Sequence, residues 1–464
     1  MTLVVPFDDI FKNESGLLSR HFSWERVELG EVCSILNGYA LKSSLFNSTD
    51  GFPVIRIRDL ARNRTATYYK GVCPPEYIIN NGDLLISMDG LFGCYEWTGG
   101  QAYLNQRVCR IASNERFLNN KFLLFALNGY LKAIEEATSS VTVGHLSSRD
   151  ILRIPFPLPP LDEQWRIVEK VEKLLGKFDA CQKRLEKIPL ILKRFRQSVL
   201  SAACSGRLTT NWRKSEEEEA ELPAGWRWVL LEDLLPKGGI FDGPFGSNLK
   251  TSDYTASGVR VIRLENIGHL TFYNAKETYI SPEKYEALTK HTVGCGDIIF
   301  SSFIADEIRV CALPQLTTKA IAKADCFCLR PMTDLVDRTF LTFQLVSRES
   351  YNALVESVHG ATRPRINTTQ LRRLKIRMCP LQEQQEIVRR VEALFKFADQ
   401  IEARYNKAKA YVDKLAQSIL AKAFRGELVE QDPNDEPASV LLERIRGQRA
   451  SSEPTNKKAR PLSR

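Results

Sequence analysis

The chain has 464 residues, 43% of them apolar, which is enough to build true hydrophobic cores and excludes wholesale disorder. At roughly 100–200 residues per domain, that length predicts about two to four units. The net charge of +9, from 65 Lys and Arg against 56 Asp and Glu, fits a nucleic-acid partner but would serve solubility equally well. The N-terminus reaches Asp8 and Asp9 with no basic leader before them, and no run approaches the ~20 apolar residues of a membrane span. Eleven cysteines are scattered singly, an odd number without framework spacing, so a reducing, cytoplasmic location is expected. Cys326 and Cys328 lack a second pair at zinc spacing, and no metal site is expected there.

Along the chain, an N-terminal arm (1–22) precedes a segment, 23–158, of short apolar runs such as PVIRIRDL and GDLLISM. Gly, Asn and Asp turns separate these runs and a helical stretch, NNKFLLFALNGYLKAI, follows, which predicts an α+β domain with a small mixed sheet. The pattern changes in 159–213. Apolar side chains fall at Ile167, Val171, Leu174, Phe178, Cys181, Leu185, Ile188, Leu192, Phe195 and Val199, in alternating steps of four and three. That is the period of a coiled-coil seam. Pro189 should bend or break this helix near residue 188, and Gly206 should stop it.

An acidic stretch, 214–222, reads as a solvated linker. Residues 223–378 return to the α+β pattern with VRVIRL, GDIIFSS and DCFCLR. A second long helix is expected in 379–430, with its seam at Ile387, Val391, Leu394, Ala398, Ile401, Tyr405, Ala408, Val412, Leu415 and Ile419. The tail, 431–464, is polar and expected to be partly mobile, although PASVLLERI within it could form a capped helix at a partner's surface.

The chain repeats itself. PLDEQWRIVEKVEKL from Pro160 returns as PLQEQQEIVRRVEAL from Pro380, and the match holds without a gap to QSVLSAACSGRL and QSILAKAFRGEL. Weaker parallels precede each copy: Trp24 with Trp226 and Trp228, Arg56 with Arg263, and NGDLLIS with CGDIIFS. Duplication is the economical reading. The shared phase of the two seams favours mutual packing of the long helices over two separate helices on their own domains.

No catalytic site is legible. The sequence has no GxxxxGK[ST], no G-x-S-x-G, no H-E-x-x-H and no Asn/Asp-Pro-Pro-aromatic element. Gly243-Pro-Phe-Gly246 is glycine-rich but fits a turn at the start of a domain better than a phosphate loop. Basic and planar groups are the better candidates. Arg56, Arg58, Arg62, Arg64, Tyr68, Lys70, Asn105, Gln106 and Arg107 cluster in the first half. Lys250, Arg260, Arg263, Asn266, Lys319, Arg363 and Arg365 do so in the second. Arg forks onto guanine, Asn and Gln onto adenine, and Lys or Arg beside them hold phosphates.

On these residues, above all the twin PLDEQWRIVEKVE and PLQEQQEIVRRVEALF starts with their matching ends, the chain resembles the DNA specificity subunits of type I restriction–modification systems. The resemblance implies an α+β fold with two target recognition domains of small mixed sheets. Two long antiparallel coiled-coil helices would join and space them in a pseudo-twofold repeat. It also implies double-stranded DNA, two modification subunits and restriction/translocase subunits as partners. S-adenosylmethionine, ATP and Mg2+ would be bound by those partners and no cofactor by this chain. The implied function is non-catalytic reading of a bipartite, interrupted target, directing adenine methylation or restriction. The residues also admit a structural adaptor that holds proteins on a coiled coil without reading DNA, or a self-contained nuclease or methyltransferase.

Overall fold

Short apolar runs closed by glycine turns become strands, and the two halves of the chain assemble them in the same order. A computed structural model describes residues 6–12, 16–137, 145–213, 221–246, 248–304, 306–358 and 364–452. The chain divides into two compact units, the first of residues 1–185 with 407–464 and the second of residues 186–406.

In the first unit, a four-stranded antiparallel sheet runs in the order Cys33–Asn37, Val108–Ser113, Leu84–Ser87, Cys94–Glu96. A five-stranded sheet runs Phe46–Asn47, Tyr68–Tyr69, Phe52–Ile55, Ala102–Leu104, Ile78–Ile79, and it is mixed because Phe52–Ile55 and Ala102–Leu104 pair in parallel. The second unit has the same two sheets. One is Ile240–Phe241, Cys326–Leu329, Ile298–Ser301, Val310–Ala312. The other is Tyr254–Thr255, Tyr279–Ile280, Val259–Ile262, Ala320–Ala322, Thr292–Val293, with Val259–Ile262 parallel to Ala320–Ala322. A two-stranded antiparallel ribbon completes each unit, Glu25–Glu28 with Pro155–Leu158 and Arg227–Leu230 with Lys375–Met378.

The central strands explain the layering. Every residue of Leu84–Ser87 is buried, because alternate side chains serve different cores. Leu84 and Ile86 join the large helical core, while Leu85 joins Ile55, Ile79, Leu104 and Val108 beneath the mixed sheet. Ile298 and Phe300 divide from Ile299 in the same way.

Among the described residues the five longest helices are α1 (Asn120–Glu136), α2 (Leu161–Leu185), α3 (Ile188–Cys204), α4 (Leu381–Phe424) and α5 (Ala438–Ser452), and in the second unit the shorter helices Arg338–Leu345 and Arg348–Glu356 stand where α1 stands in the first. The first turns of α2 and α4 hold the repeated Glu-Gln pair, and all four side chains are buried. Gln164 accepts the N–H of Asn119 at 2.8 Å and donates to the carbonyls of Phe117 and Pro159, both at 3.0 Å. Asn119 caps α1, so this glutamine ties the start of α2 to the start of the domain helix. Gln384 does the same with Asp337, Leu335 and Cys379. Glu163 accepts the indole N–H of Trp24 at 3.0 Å and an amide N–H of Gln431. Glu383 takes Trp226 at 3.2 Å, Thr209 at 2.6 Å and Arg213 at 2.5 Å.

The expected pair of antiparallel coiled-coil helices is not what forms. The first spacer breaks at Glu186–Lys187 into α2 and α3, with Pro189 in the opening turn of α3, where its missing N–H costs nothing. Of the two expected spacers, only the second, α4, is a single uninterrupted helix. Of the seam residues, Ile167, Val171, Val199, Ile387 and Val391 are buried in the cores of the two units, and Leu192, Ala398 and Ile419 are buried singly outside them. Leu174, Phe178, Leu185, Leu394, Ile401 and Leu415 are only half-buried. Among the described residues, no buried cluster is formed by the middle of these helices. Steps of three and four also mark a helix face lying on a domain, and the helix ends use them that way. Nor does the chain fold as recognition segment, spacer, recognition segment, spacer. The start of α2 and the end of α4, with Ala423 and Phe424, complete one core, whereas the end of α3 and the start of α4 complete the other. The mixed sheets are also joined by purely antiparallel ones.

The tail also departs from expectation. Leu441, Leu442 and Ile445 of α5 are buried in the first unit's own core, and Asp435 pairs with Arg166 at 2.5 Å. The helix therefore docks on its own chain rather than on a partner's surface. Residues 214–220 of the acidic stretch and 453–464 of the tail lie outside the described residues.

Burial holds the Glu163 carboxyl above its usual range, against the opposing pull of Gln431, Trp24 and Arg166. The folded state therefore binds this proton more readily than the unfolded chain. Its contribution to stability falls as pH rises from the ordinary glutamate value of about 4.3 through the raised one. Glu163→Gln should remove that slope without lowering stability at neutral pH, whereas Glu163→Ala, which orphans the Trp24 indole, should cost about 1–3 kcal/mol. Denaturant melts across pH check both outcomes. Arg213→Ala, which leaves buried Glu383 with only the neutral donors Trp226 and Thr209, should cost more, about 3–5 kcal/mol.

Candidate nucleic-acid interface

The parallel strand pair of each mixed sheet decides which candidate residues meet. Ile55 is in register with Leu104, so Arg56 and Asn105 leave the sheet side by side at the same edge. In the second unit Ile262 is in register with Ala322, which brings Arg263 beside Lys323. Two glycines close this edge. A Cβ on Gly38 would stand 2.0 Å from the carbonyl oxygen of Asn105, and one on Gly243 would stand 2.1 Å from the carbonyl carbon of Lys323. The turn in the glycine-rich run is closed by the Asn248 N–H on the carbonyl of Phe245 at 2.8 Å, and Gly243 lies before it, pressed without a side chain on the neighbouring loop. The backbone N–H of Gly38 donates to Val108 and that of Tyr39 to Leu104, at 3.0 and 2.8 Å. Asp242 accepts the N–H groups of Gly243 and Asp325 at 2.7 and 2.8 Å, while its burial pushes its carboxyl above the usual range.

In the first unit, Arg56, Arg58, Arg62 and Arg64 are exposed on and after the short helix Ile57–Leu60. Buried Asp59 accepts the backbone N–H of Arg56 at 3.0 Å and fixes this turn, while the Arg58 guanidinium reaches Thr67 at 3.2 Å. Gln106 is exposed and Asn105 half-exposed. Arg107 is paired with Asp89 at 2.9 Å, and Asp89 also meets His145 Nδ1 at 2.5 Å. Tyr68 is half-buried in register with Pro53, and Lys70, paired with Asp50 at 3.1 Å, stands at the opposite end of that strand from Arg56.

The second unit sorts its candidates differently. Arg260 is 3% exposed, lying against Glu277 at 3.2 Å and over the Tyr279 ring. Asn266 is fully buried, accepting the N–H of Arg263 at 2.9 Å and donating to the carbonyls of Tyr273 and Ala275. Lys319 lies over the Tyr285 ring, next to Arg260 at the far end of the parallel pair, and exposed Lys250 opens the turn Thr251–Asp253. Arg365 pairs with Asp325 and lies 5.7 Å from the Phe303 ring. Arg363 lies outside the described residues.

Two exposed or half-exposed groups at this edge, Tyr39 and Lys323, escape sequence reasoning, as does exposed Phe245 two residues after Gly243. The ammonium of Lys323 and the guanidinium of Arg263 sit 5.4 and 5.7 Å from the same ring, Tyr254. The available signal was the alignment of AYLN, ending at Asn105, with AIAK, ending at Lys323. Among the described residues, no three His, Cys, Asp or Glu side chains converge as a metal site would require, and no helix is long and apolar enough to cross a membrane.

The family model described as type I restriction modification DNA specificity domain matches residues 23–190 and again 243–410. The chain belongs to this family. It is 39% identical over 462 residues to the type I restriction enzyme EcoBI specificity subunit of Escherichia coli, covering 96% of both chains. It is 30% identical to the EcoDI specificity subunit of the same species, covering 92% of this chain and 96% of the relative. Among solved structures, the HsdS subunit from Thermoanaerobacter tengcongensis matches with TM-score 0.57 at 21% identity, covering 88% of this chain and 97% of its own. A chain from work on complex assembly and conformational transition of the type I R-M system gives 0.64, also at 21% identity, with coverages of 88% and 99%. At that identity the likeness establishes the fold. As a specificity subunit the chain has a DNA-recognition role and is non-catalytic.

Two classes of substitution should separate scaffold from surface. Gly38→Ala drives a methyl into the Asn105 backbone and should cost about 1–3 kcal/mol. Asn266→Ala should cost a similar amount by stranding buried backbone groups. Arg56→Ala should stay within about 0.5 kcal/mol. Unfolding of the three purified variants without DNA checks the ranking.

Proposed function

We propose that the chain reads a bipartite, interrupted sequence in double-stranded DNA, one half by the recognition domain in 23–158 and the other by that in 223–378. It would direct adenine methylation or restriction carried out by two modification subunits and by restriction/translocase subunits in a cytoplasmic complex. S-adenosylmethionine, ATP and Mg2+ would belong to those partners. The observation that carries this reading is one scaffold used twice with different chemistry at the same edge. Arg56 and Asn105 occupy in one unit the register that Arg263 and Lys323 occupy in the other. Equivalent loops likewise carry Arg107 bonded to Asp89 in one unit and Asp325 bonded to Arg365 in the other. A structural adaptor would gain nothing from two such unlike edges.

Exchanging residues 23–158 for those of a relative with another target should change one half of the methylated sequence and leave the other intact. Mapping methylation across a genome that expresses the complete complex measures this directly. Both halves changing together, or neither changing, would refute the division.

A further inference from the structure

The two glycine-clamped loops put different donors in the same place, and that difference has a direct meaning in base chemistry. Each loop is fixed before DNA arrives. At Gly38 and Gly243 the backbone presses directly on residue 105 or 323, and the backbone N–H of Lys323 is held by the carbonyl of Ile262 at 2.9 Å. Tyr39, bridged to Asn105, stands beside the first loop at 37% exposure, and Phe245, two residues after Gly243, is 54% exposed. An arginine flanks each loop as well, Arg56 or Arg263, with its backbone tied down by Asp59 or Asn266.

Resting on the DNA-reading role above, we propose that residues 105 and 323 are the equivalent base-reading positions of the two units. Asn105, with Gln106 beside it, takes an adenine edge in one half-site, and Lys323 takes a guanine edge in the other. A carboxamide offers one donor face and one acceptor, matching the N6 donor and N7 acceptor of adenine. An ammonium offers donors alone, matching guanine O6 and N7, and would meet the adenine amino group with like polarity. Lys323 and Arg263 already converge on Tyr254. Two cations held on one ring repel each other, and an acceptor-rich guanine edge or an adjacent phosphate relieves that repulsion.

The test uses the full chain assembled with its modification subunits. Asn105→Ala and Lys323→Ala are each assayed by methylation mapping and by binding to duplexes that differ at single base pairs. Each variant should lose roughly tenfold to a hundredfold discrimination at one adenine or one guanine position, in its own half-site only, while its unassembled melting temperature is unchanged. Lys323→Asn should move the preference at that position from guanine toward adenine. Uniform weakening across all duplexes, with discrimination kept, would make these side chains phosphate contacts and overturn the proposal. So would discrimination that is unchanged in both variants. Either failure, alongside a segment exchange that still switches one half-site, removes these positions and leaves the bipartite reading standing.

Discussion

Sealing a glutamate and a glutamine inside each recognition unit costs several kcal/mol unless every polar atom finds a partner, so this pair dictates what surrounds it. Gln164 and Gln384 satisfy the backbone where a domain helix begins and where the outgoing strand ends. Glu163 and Glu383 accept the indole N–H of the tryptophan that opens each domain. Entry to the domain, its main helix and its exit are thereby bound to the first turn of α2 or α4. The remaining partner differs. Gln431, from the chain after α4, serves Glu163, whereas Thr209 and Arg213, from the chain after α3, serve Glu383. Each core therefore requires chain from a second, distant stretch, and neither recognition segment is complete by itself.

With the frame fixed at that end, variation is cheap at the other. Strands such as Leu84–Ser87 and Ile298–Ser301 are buried on both faces and have no freedom to change. The loops at the edge of the parallel pair are held by backbone, through Gly38 and Gly243, and by short turns closed by Asp59 and Asn266. None of these contacts depends on which side chain stands at 105 or 323. A scaffold anchored in this way can carry an amide in one unit and an ammonium in the other at nearly equal stability.

The parts legible in the sequence are those governed by local rules. The duplicated PLDEQ and PLQEQ starts, the glycine stops at Gly206 and Gly426, and the proline break before Pro189 follow from chain chemistry within a few residues. The seam pattern does not specify a coiled coil, because alternating steps of three and four record only that one helix face is apolar, not what covers it. For Ile167 and Val391 the cover is a domain core. Arg260 and Asn266 look like surface groups in a linear list. Their burial depends on Glu277, Tyr279 and the carbonyls of Tyr273 and Ala275, whose approach no local pattern announces. Lys323 is illegible in the sequence for the opposite reason: one lysine among many gains meaning only from the parallel register that sets it beside Arg263.

The ion pairs at the same edge show how far the two units have diverged without losing their frame. An isolated bridge joins Asp89 to His145 in one unit and Phe303 to Arg365 in the other, so these four residues occupy matching places. In the first unit the carboxylate stands on the loop after the central strand and draws in Arg107 and His145. In the second that place is taken by Phe303, the carboxylate has moved to Asp325, and Arg365 turns to it across the phenyl ring. The backbone junction is the same while the signs are redistributed around it. Half-exposed pairs of this kind contribute little to stability, about 0–1 kcal/mol, so their rearrangement is nearly free for the fold. Its consequence lies at the surface, where the loop after the second parallel strand presents Asn105, Gln106 and a cation in one unit and Lys323 followed by an anion in the other. A difference that costs the core so little changes the charge and hydrogen-bonding pattern each unit turns outward, while the frame beneath stays the same.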